Sequence, residues 1–310
     1  MCERLNDVLE RLSASMADME MEWNVPMSSM TTLRLGGPAD LVCSPSDEVQ
    51  LRRLLKETHA LHIPVTLVGN GSNLLVKDGG IRGVVLSLRA MNAITISGTH
   101  MTAQAGAMLA QLSRRAAESG LAGLAFASGI PGTIGGGVIM NAGAYGGEMS
   151  QVVTLVKGYT SDGTPVRYTG AEMAFSHRAS RLQHERVIVT CVEMELQPGD
   201  RDAILEEMNR LNRQRAEKQP LTIPNAGSMF KRPANGYASA LIDQCGLRGL
   251  TIGGAQVSEK HAGFGLNLGG TAADYLALLA RIQQVVMEKT GVMLEPEIRI
   301  VGEDTPIRHV

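Results

Sequence analysis

The sequence predicts an α+β chain built from two or three compact units. Three observations carry that reading. There are 310 residues with 44% apolar content, enough to bury a substantial core. Short β-branched runs alternate with segments of helical periodicity. A long charged helical pattern stops before Pro220, which marks off the last third of the chain.

Taken in order, Leu5, Val8, Leu9 and Leu12 recur at helical spacing and predict a peripheral helix in a Met-rich, charged opening stretch. Ser46 is expected to cap a helix to about His59, and Pro64 opens an apolar strand that runs into GNGSNLLV. Residues 83–88 and 94–96 read as short strands, and 107–119 as a helix stopped by Gly120. Residues 152–160 and 164–168 flank Asp162-Gly163, a hairpin turn signal, and 187–196 follows as another strand. Asp200 caps the long charged helix, which runs to about Lys218. Beyond it come a helix over 238–244 and an amphipathic helix from Ala272 to Thr290. The second has Thr271 as N-cap, Asp274 at the capping-box position and Gly291 as stop. It places Tyr275, Leu278, Leu279, Ile282, Val285 and Val286 on one face, where core packing is the simpler reading.

Composition excludes several classes of function. A formal charge of −2 and a pI near 6.4 supply no concentrated basic face, so nucleic acid is not an expected partner. The densest basic stretch, 210–218 (RLNRQRAEK), reads as a solvated helix face, with a phosphate-binding role left open for one or two of its residues. Cys2, Cys43, Cys191 and Cys245 lie far apart and form no CxxC pair, so no zinc or dithiol site is expected. No apolar run approaches membrane-spanning length and no targeting signal is visible; the expected location is the cytoplasm, with no membrane partner.

Two glycine-rich stretches carry the chemistry. Residues 128–147, SGIPGTIGGGVIMNAGAYGG, hold eight glycines in twenty residues and no charge. Such density marks left-handed turns or a backbone pressed against a ligand, and consecutive peptide N–H groups bind anions without lysine. The second stretch, Gly69-Asn-Gly-Ser-Asn-Leu-Leu-Val76, begins like a dinucleotide fingerprint, but Leu74 stands where the third glycine belongs. A tight turn closed by Asn side chains is the alternative for it. No GxxxxGK[ST] occurs, which disfavours a nucleoside triphosphate on a P-loop. Two lysine-free turns point to one long diphosphate ligand such as a flavin dinucleotide, against the alternative that the two are unrelated.

Eight segments in order extend this: TTLRLGGPA (31–39), VGNGSNLLV (68–76), GIPGTIGGGVIMNAGAYGGEM (129–149), FSHRAS (175–180), NAGSMFKRP (225–233), LIDQCGLRG (241–249), GGAQVSEKHAGF (253–264) and LEPEIRIVGE (294–303). Together they resemble the UDP-N-acetylenolpyruvoylglucosamine reductase (MurB) family, in its shorter type without an inserted loop. The resemblance implies an FAD-binding fold of the vanillyl-alcohol-oxidase (PCMH) type. That fold would comprise an N-terminal helical extension over 1–24, FAD-binding subdomains over 25–98 and 99–219, and an α+β substrate-binding domain over 220–310. It also implies a UDP-N-acetylmuramate dehydrogenase of peptidoglycan precursor synthesis. The enzyme would carry non-covalent FAD, use NADPH as co-substrate, take UDP-N-acetylglucosamine enolpyruvate as substrate and act as a monomer.

The family's site residues carry over by motif. Ser228 in NAGSMF matches the proton donor, Arg178 in FSHRAS the group that binds the substrate carboxylate, and Glu297 in LEPEIR their acidic partner, for which burial predicts a raised pKa. Arg34 matches a flavin-side arginine. The flavin cradle is expected from Val68, Gly69, Asn70, Gly71, Ser72, Asn73 and Leu74, and from Gly129, Pro131, Gly132, Gly135, Gly136, Asn141, Ala142, Gly143 and Tyr145. Lys218, Asn225, Lys231 and Lys260 are expected on the substrate side, with no metal. The chain departs from the family pattern at His177, where Tyr is common, and at Arg232, where Asn is common. An oxidase on the same fold would need a His or Cys in the glycine turns for covalent flavin, and neither turn has one. A non-catalytic nucleotide-sugar binder is disfavoured by the joint presence of Ser228, Arg178 and Glu297.

Overall fold

A computed structural model describes residues 5–234 and 236–304, and Cys2 lies outside them. The chain divides into two units, each assembled from separate stretches of sequence. The first comprises residues 1–22, 41–70 and 83–215, and the second residues 23–40, 71–82 and 216–310.

In the first unit the strand Val65–Val68 pairs in parallel with Ile81–Ser87, Val65 opposite Val84 and Val68 opposite Ser87. These belong to a four-stranded sheet that within this unit also contains residues 41–44 and 20–22. A five-stranded antiparallel sheet places Pro165–Thr169, Val153–Thr160, Val187–Glu195, His100–Gln104 and Ile94–Ser97 in that order. Its leading hairpin turns at Gly163, which adopts φ +80° as the Asp-Gly signal requires. The helices Glu48–Ala60 and Leu109–Glu118 bury their apolar stripes in the same core. Asp47, not Ser46, caps the first of these, accepting from Gln50 N; the Ser46 hydroxyl and N–H instead donate to the Gln50 side chain. The opening helix Leu5–Ser15 buries Leu9 and Leu12 within this core.

The long helix Arg201–Lys218 begins at Asp200, whose carboxylate accepts from Ala203 N at 2.8 Å.

The second unit has a four-stranded antiparallel sheet ordered Asn225–Ser228, Phe264–Asn267, Ala255–Val257, Thr251–Ile252. The helix Ala272–Thr290 packs with this unit's core through Tyr275, Leu278, Leu279, Ile282, Val285 and Val286. Its Thr271–Asp274 capping box and left-handed Gly291 stop both form as the sequence predicts. A short parallel pair joins Leu74–Val76 to Arg299–Val301. Among the described residues no helix is long and apolar enough to cross a membrane.

Candidate active site

In the first unit the two glycine-rich stretches meet. Gly69 ends the Val65–Val68 strand at a place where a Cβ would lie 2.9 Å from Thr133 Oγ1. Asn70 Nδ2 donates to the Pro131 carbonyl at 2.7 Å, and Arg89 Nε donates to the Gly69 carbonyl at 3.3 Å. Residues 69–70 and 131–133 thus form one surface, with the Arg89 guanidinium at its Gly69 edge.

The longer stretch contains a helix, Ile134–Ile139, capped by Thr133 Oγ1, which accepts from Gly136 N. Within the stretch only Gly146 among the glycines has positive φ; the left-handed residues otherwise are Asn141 (φ +42°) and Tyr145 (φ +54°). Close packing explains most of the rest. A Cβ on Gly135 would stand 2.9 Å from Ala105 Cβ, one on Gly143 2.6 Å from the Gly147 carbonyl, and one on Gly147 2.5 Å from the Phe126 ring. Gly136 differs, since its nearest neighbour would be Thr133 Oγ1 at 3.7 Å and its face is exposed.

Several N–H groups here are spent inside the fold: Ile134 donates to Ala107 O, Gly135 to Ala105 O, Gly137 to Thr133 O and Ala142 to Gly137 O. Among the described residues no hydrogen bond takes the N–H of Gly129, Gly132 or Thr133. Those donors, with the bare face of Gly136, fit a diphosphate. Tyr145 is 46% exposed, so its ring is not core packing.

Arg178 sits on a two-residue corner. Ser176 and Ala179 exchange backbone hydrogen bonds at 3.0 and 3.1 Å, leaving His177 and Arg178 at the tip with Arg178 at φ +56°. A bulky side chain held left-handed costs of order 1–3 kcal/mol and persists only where the surroundings fix it. Here Asn141 Nδ2 donates to Ser176 O, Gln183 Nε2 to Arg178 O, and Ser180 Oγ to Ile139 O. Nearby, Glu148 has its carboxyl held below the ordinary range, first by the Ser150 hydroxyl, then by Asn141, with the charges of His177 and Arg178 adding.

The second unit holds Ser228, at the end of a strand shaped by its own motif. Asn225 Oδ1 accepts from Gly227 N at 3.0 Å, its Nδ2 donates to Pro220 O and Ile223 O, and Gly227 adopts φ +77°. Glu297 N donates to Met229 O at 2.9 Å, so Glu297 and Ser228 occupy adjacent backbone. Asn73 braces that segment, donating from Nδ2 to Glu297 O and accepting from Arg299 N. Gly71 (φ +63°) leaves room for Met30 O, which a Cβ would meet at 2.3 Å.

Arg34, also left-handed, is exposed and presents its carbonyl to Asn267 Nδ2. Lys218 is exposed at the helix end. Lys260 Nζ donates to Ala216 O at 2.6 Å, a cation at the last turn of that helix, and Lys231 pairs with Glu295. Arg232 lies with its guanidinium 4.1 Å from the Tyr237 ring centroid. Ser72 is half-buried beside Asn73. Among the described residues no group of three or more His, Cys, Asp and Glu could hold a metal ion.

Comparison with known proteins fixes what these parts belong to. A family model described as UDP-N-acetylenolpyruvoylglucosamine reductase, C-terminal domain, matches residues 219–301, and one described as FAD binding domain matches 39–169. The UDP-N-acetylenolpyruvoylglucosamine reductase of Latilactobacillus sakei is 47% identical over 286 residues, covering 92% of this chain and 94% of the relative. The chain belongs to the UDP-N-acetylenolpyruvoylglucosamine reductase family. The reductase of Levilactobacillus brevis is 48% identical over 280 residues, 90% of this chain and 92% of its own. Among solved structures, the MurB crystal structure from Thermus caldophilus matches with a TM-score of 0.79 at 35% identity, covering 91% of this chain and 99% of that one. The expected fold is therefore borne out, and membership makes this chain an FAD-dependent oxidoreductase.

Within the 210–218 stretch, where the sequence left a phosphate-binding role open for one or two residues, one charged group stands apart. Arg215, inside the 210–218 stretch, is partly buried against Gly129, whereas its neighbour Arg213 is exposed.

Proposed function

We propose that the chain reduces the enolpyruvyl double bond of UDP-N-acetylglucosamine enolpyruvate to give UDP-N-acetylmuramate, a step of peptidoglycan precursor synthesis, as a cytoplasmic monomer. Non-covalently bound FAD would supply the redox chemistry, relaying hydride from NADPH to the methylene carbon of the substrate. Residues 69–70 and 129–136 hold the flavin diphosphate through backbone N–H groups, and Arg34 and Tyr145 border the cofactor.

Hydride addition at the methylene carbon leaves negative charge on the adjacent carbon and in its carboxylate. Such charge needs fixed donors and then a proton. Arg178 binds the carboxylate with its planar fork and stabilises the enolate. Ser228 gives its hydroxyl proton to the carbon; a hydroxyl is a weak acid, but a carbanion is a strong enough base to take it. Glu297 completes the group as a hydrogen-bonded acid partner. Lys218, Asn225, Lys231 and Lys260 serve the sugar nucleotide, Asn225 by shaping the turn that presents Ser228.

The observation that carries the reading is the adjacency of Ser228 and Glu297, joined through the hydrogen bond from Glu297 N to Met229 O. Its test is an anaerobic two-step titration, in which NADPH bleaches the yellow chromophore and the enolpyruvyl substrate restores it. S228A is expected to keep the first step and slow the second by about a hundredfold or more, the scale of general acid catalysis. Equal loss of both steps, or a wild-type protein without chromophore, overturns the reading.

A further inference from the structure

The reading above gives Arg215 no task, yet its surroundings are unlike those of the other arginines on its helix. Arg210 pairs with Glu207 through two hydrogen bonds, and Arg201 pairs with Asp202, all of them at solvent. Arg215 turns instead onto the glycine-rich stretch. A Cβ at Gly129 would lie 3.0 Å from Arg215 Cδ and 2.8 Å from Oδ1 of Asn212, one turn back on the same helix face. Ser128 Oγ bonds Asn212 Oδ1 at 3.1 Å and fixes that contact.

The Arg215 Nε is buried and has no hydrogen-bond partner among the described residues, and no carboxylate there pairs with the side chain. Burial pulls its pKa below the usual arginine range; the charge of Arg178 pushes the same way and Tyr145 opposes it. A partly buried cation with an unmet donor, in the field of a second guanidinium, is costly in isolation. An anion beside Arg215 removes that cost, and a guanidinium fork suits a planar or tetrahedral oxyanion.

We propose that Arg215 seats a ligand oxyanion, with Gly129 kept bare so that the Arg215 side chain can lie against the backbone. The inference rests on the reductase reading, which brings two oxyanions to this unit: the carboxylate of the sugar-nucleotide ligand and the diphosphate of the flavin. On the carboxylate side, Arg215 meets the charge that develops during reduction.

The test uses purified holoenzymes: wild type, R215M, R215K and G129A, the last displacing the guanidinium without deleting it. Flavin per protein is measured first. Oxidised enzyme is then titrated with UDP-N-acetylmuramate, which has the carboxylate, and with UDP-N-acetylglucosamine, which lacks it, following the flavin absorbance. A carboxylate seat predicts that R215M weakens UDP-N-acetylmuramate at least tenfold, leaves UDP-N-acetylglucosamine within twofold and keeps full flavin. R215K and G129A should shift the same way by less. A diphosphate seat predicts loss of at least half the flavin in R215M and G129A, partly restored in R215K. Full flavin with unchanged binding of both ligands overturns the seat, and so does equal weakening of both ligands. If R215M does not fold, R215K and G129A decide by the same criteria. Failure of the wild-type flavin to be bleached by NADPH or restored by the enolpyruvyl substrate would defeat the reductase reading while leaving these binding measurements interpretable.

Discussion

Asn141 holds Ser176 in place: its Nδ2 donates to the Ser176 carbonyl at 3.0 Å while its Oδ1 accepts from Ser150 N at 2.9 Å. The side chain is buried, and the residue itself adopts a left-handed φ that Asn tolerates better than most. Through Ser176 it fixes the corner on which Arg178 sits. N141A is expected to strand two backbone partners and lower stability by about 1–3 kcal/mol. It should also slow flavin reoxidation by the enolpyruvyl substrate more than tenfold while sparing reduction by NADPH. Urea unfolding and anaerobic stopped-flow measure the two effects, and unchanged reoxidation would mean that the corner holds without Asn141.

Asp78 provides the contrasting case, a carboxylate whose work is structural. Its two oxygens accept from Ala272 N and Ala273 N, both at 2.9 Å, at the start of the Ala272–Thr290 helix already capped by Thr271. D78A is expected to cost about 0.5–2 kcal/mol, the range for a lost helix cap, and to leave both half-reactions near wild type. Thermal unfolding of the holoenzyme, set against the two half-reaction rates, checks this. A rate loss without a stability loss would assign Asp78 to the site instead.

Local signals made part of this molecule readable in advance. Thr271, Asp274 and Gly291 act within one turn of the Ala272–Thr290 helix, and Asp162-Gly163 sets its hairpin by its own backbone preference. The capping group shifted from Ser46 to Asp47 because both fit the same local geometry. Helical spacing identified Leu9 and Leu12 as one face but could not say that a core covers it. The helix Ile134–Ile139 was invisible because its glycines carry poor helix propensity; tertiary acceptors at Ala105 and Ala107 and the Thr133 cap support it. The pairing of Leu74–Val76 with Arg299–Val301 has no local cue at all. Motif order singles out Arg178, Ser228 and Glu297 as the proposed catalytic groups. Nothing in composition separates Arg215 from Arg213, since only the packing of Gly129 buries one of them.

His261 predicts a pH dependence of stability. Its Nδ1 accepts from Gly263 N at 3.1 Å, its ring meets Phe264 edge-on, and burial lowers its pKa from 6.5, with the charge of Arg248 adding. The unfolded chain therefore takes up a proton at higher pH than the folded one. Stability from this group is complete above about pH 6.5 and is lost as pH falls from there through the lower folded value. Urea unfolding at pH 7.5 and 5.0 should show wild type losing more stability than H261N on acidification. Equal losses would exclude His261 as the source.

The glycine-rich stretch makes the most discriminating prediction, because its glycines are bare for different reasons. Gly147 faces the Phe126 ring, where a Cβ would lie at 2.5 Å, so G147A must displace the ring or the backbone. It should cost roughly 1–3 kcal/mol in stability, whatever is bound, as overpacked sites do. Gly136 lies inside a helix with an open face, and its nearest Cβ contact would be an ordinary 3.7 Å. Protein packing alone therefore lets G136A gain up to about 1 kcal/mol of helix propensity. If that face is bare so that the flavin diphosphate can approach the backbone, the added methyl group occupies the ligand's space. G136A is then expected to raise the unfolding temperature of the flavin-free protein while lowering flavin per protein at purification. A variant that gains stability and keeps its full flavin would show that the open side of Gly136 does not face the cofactor.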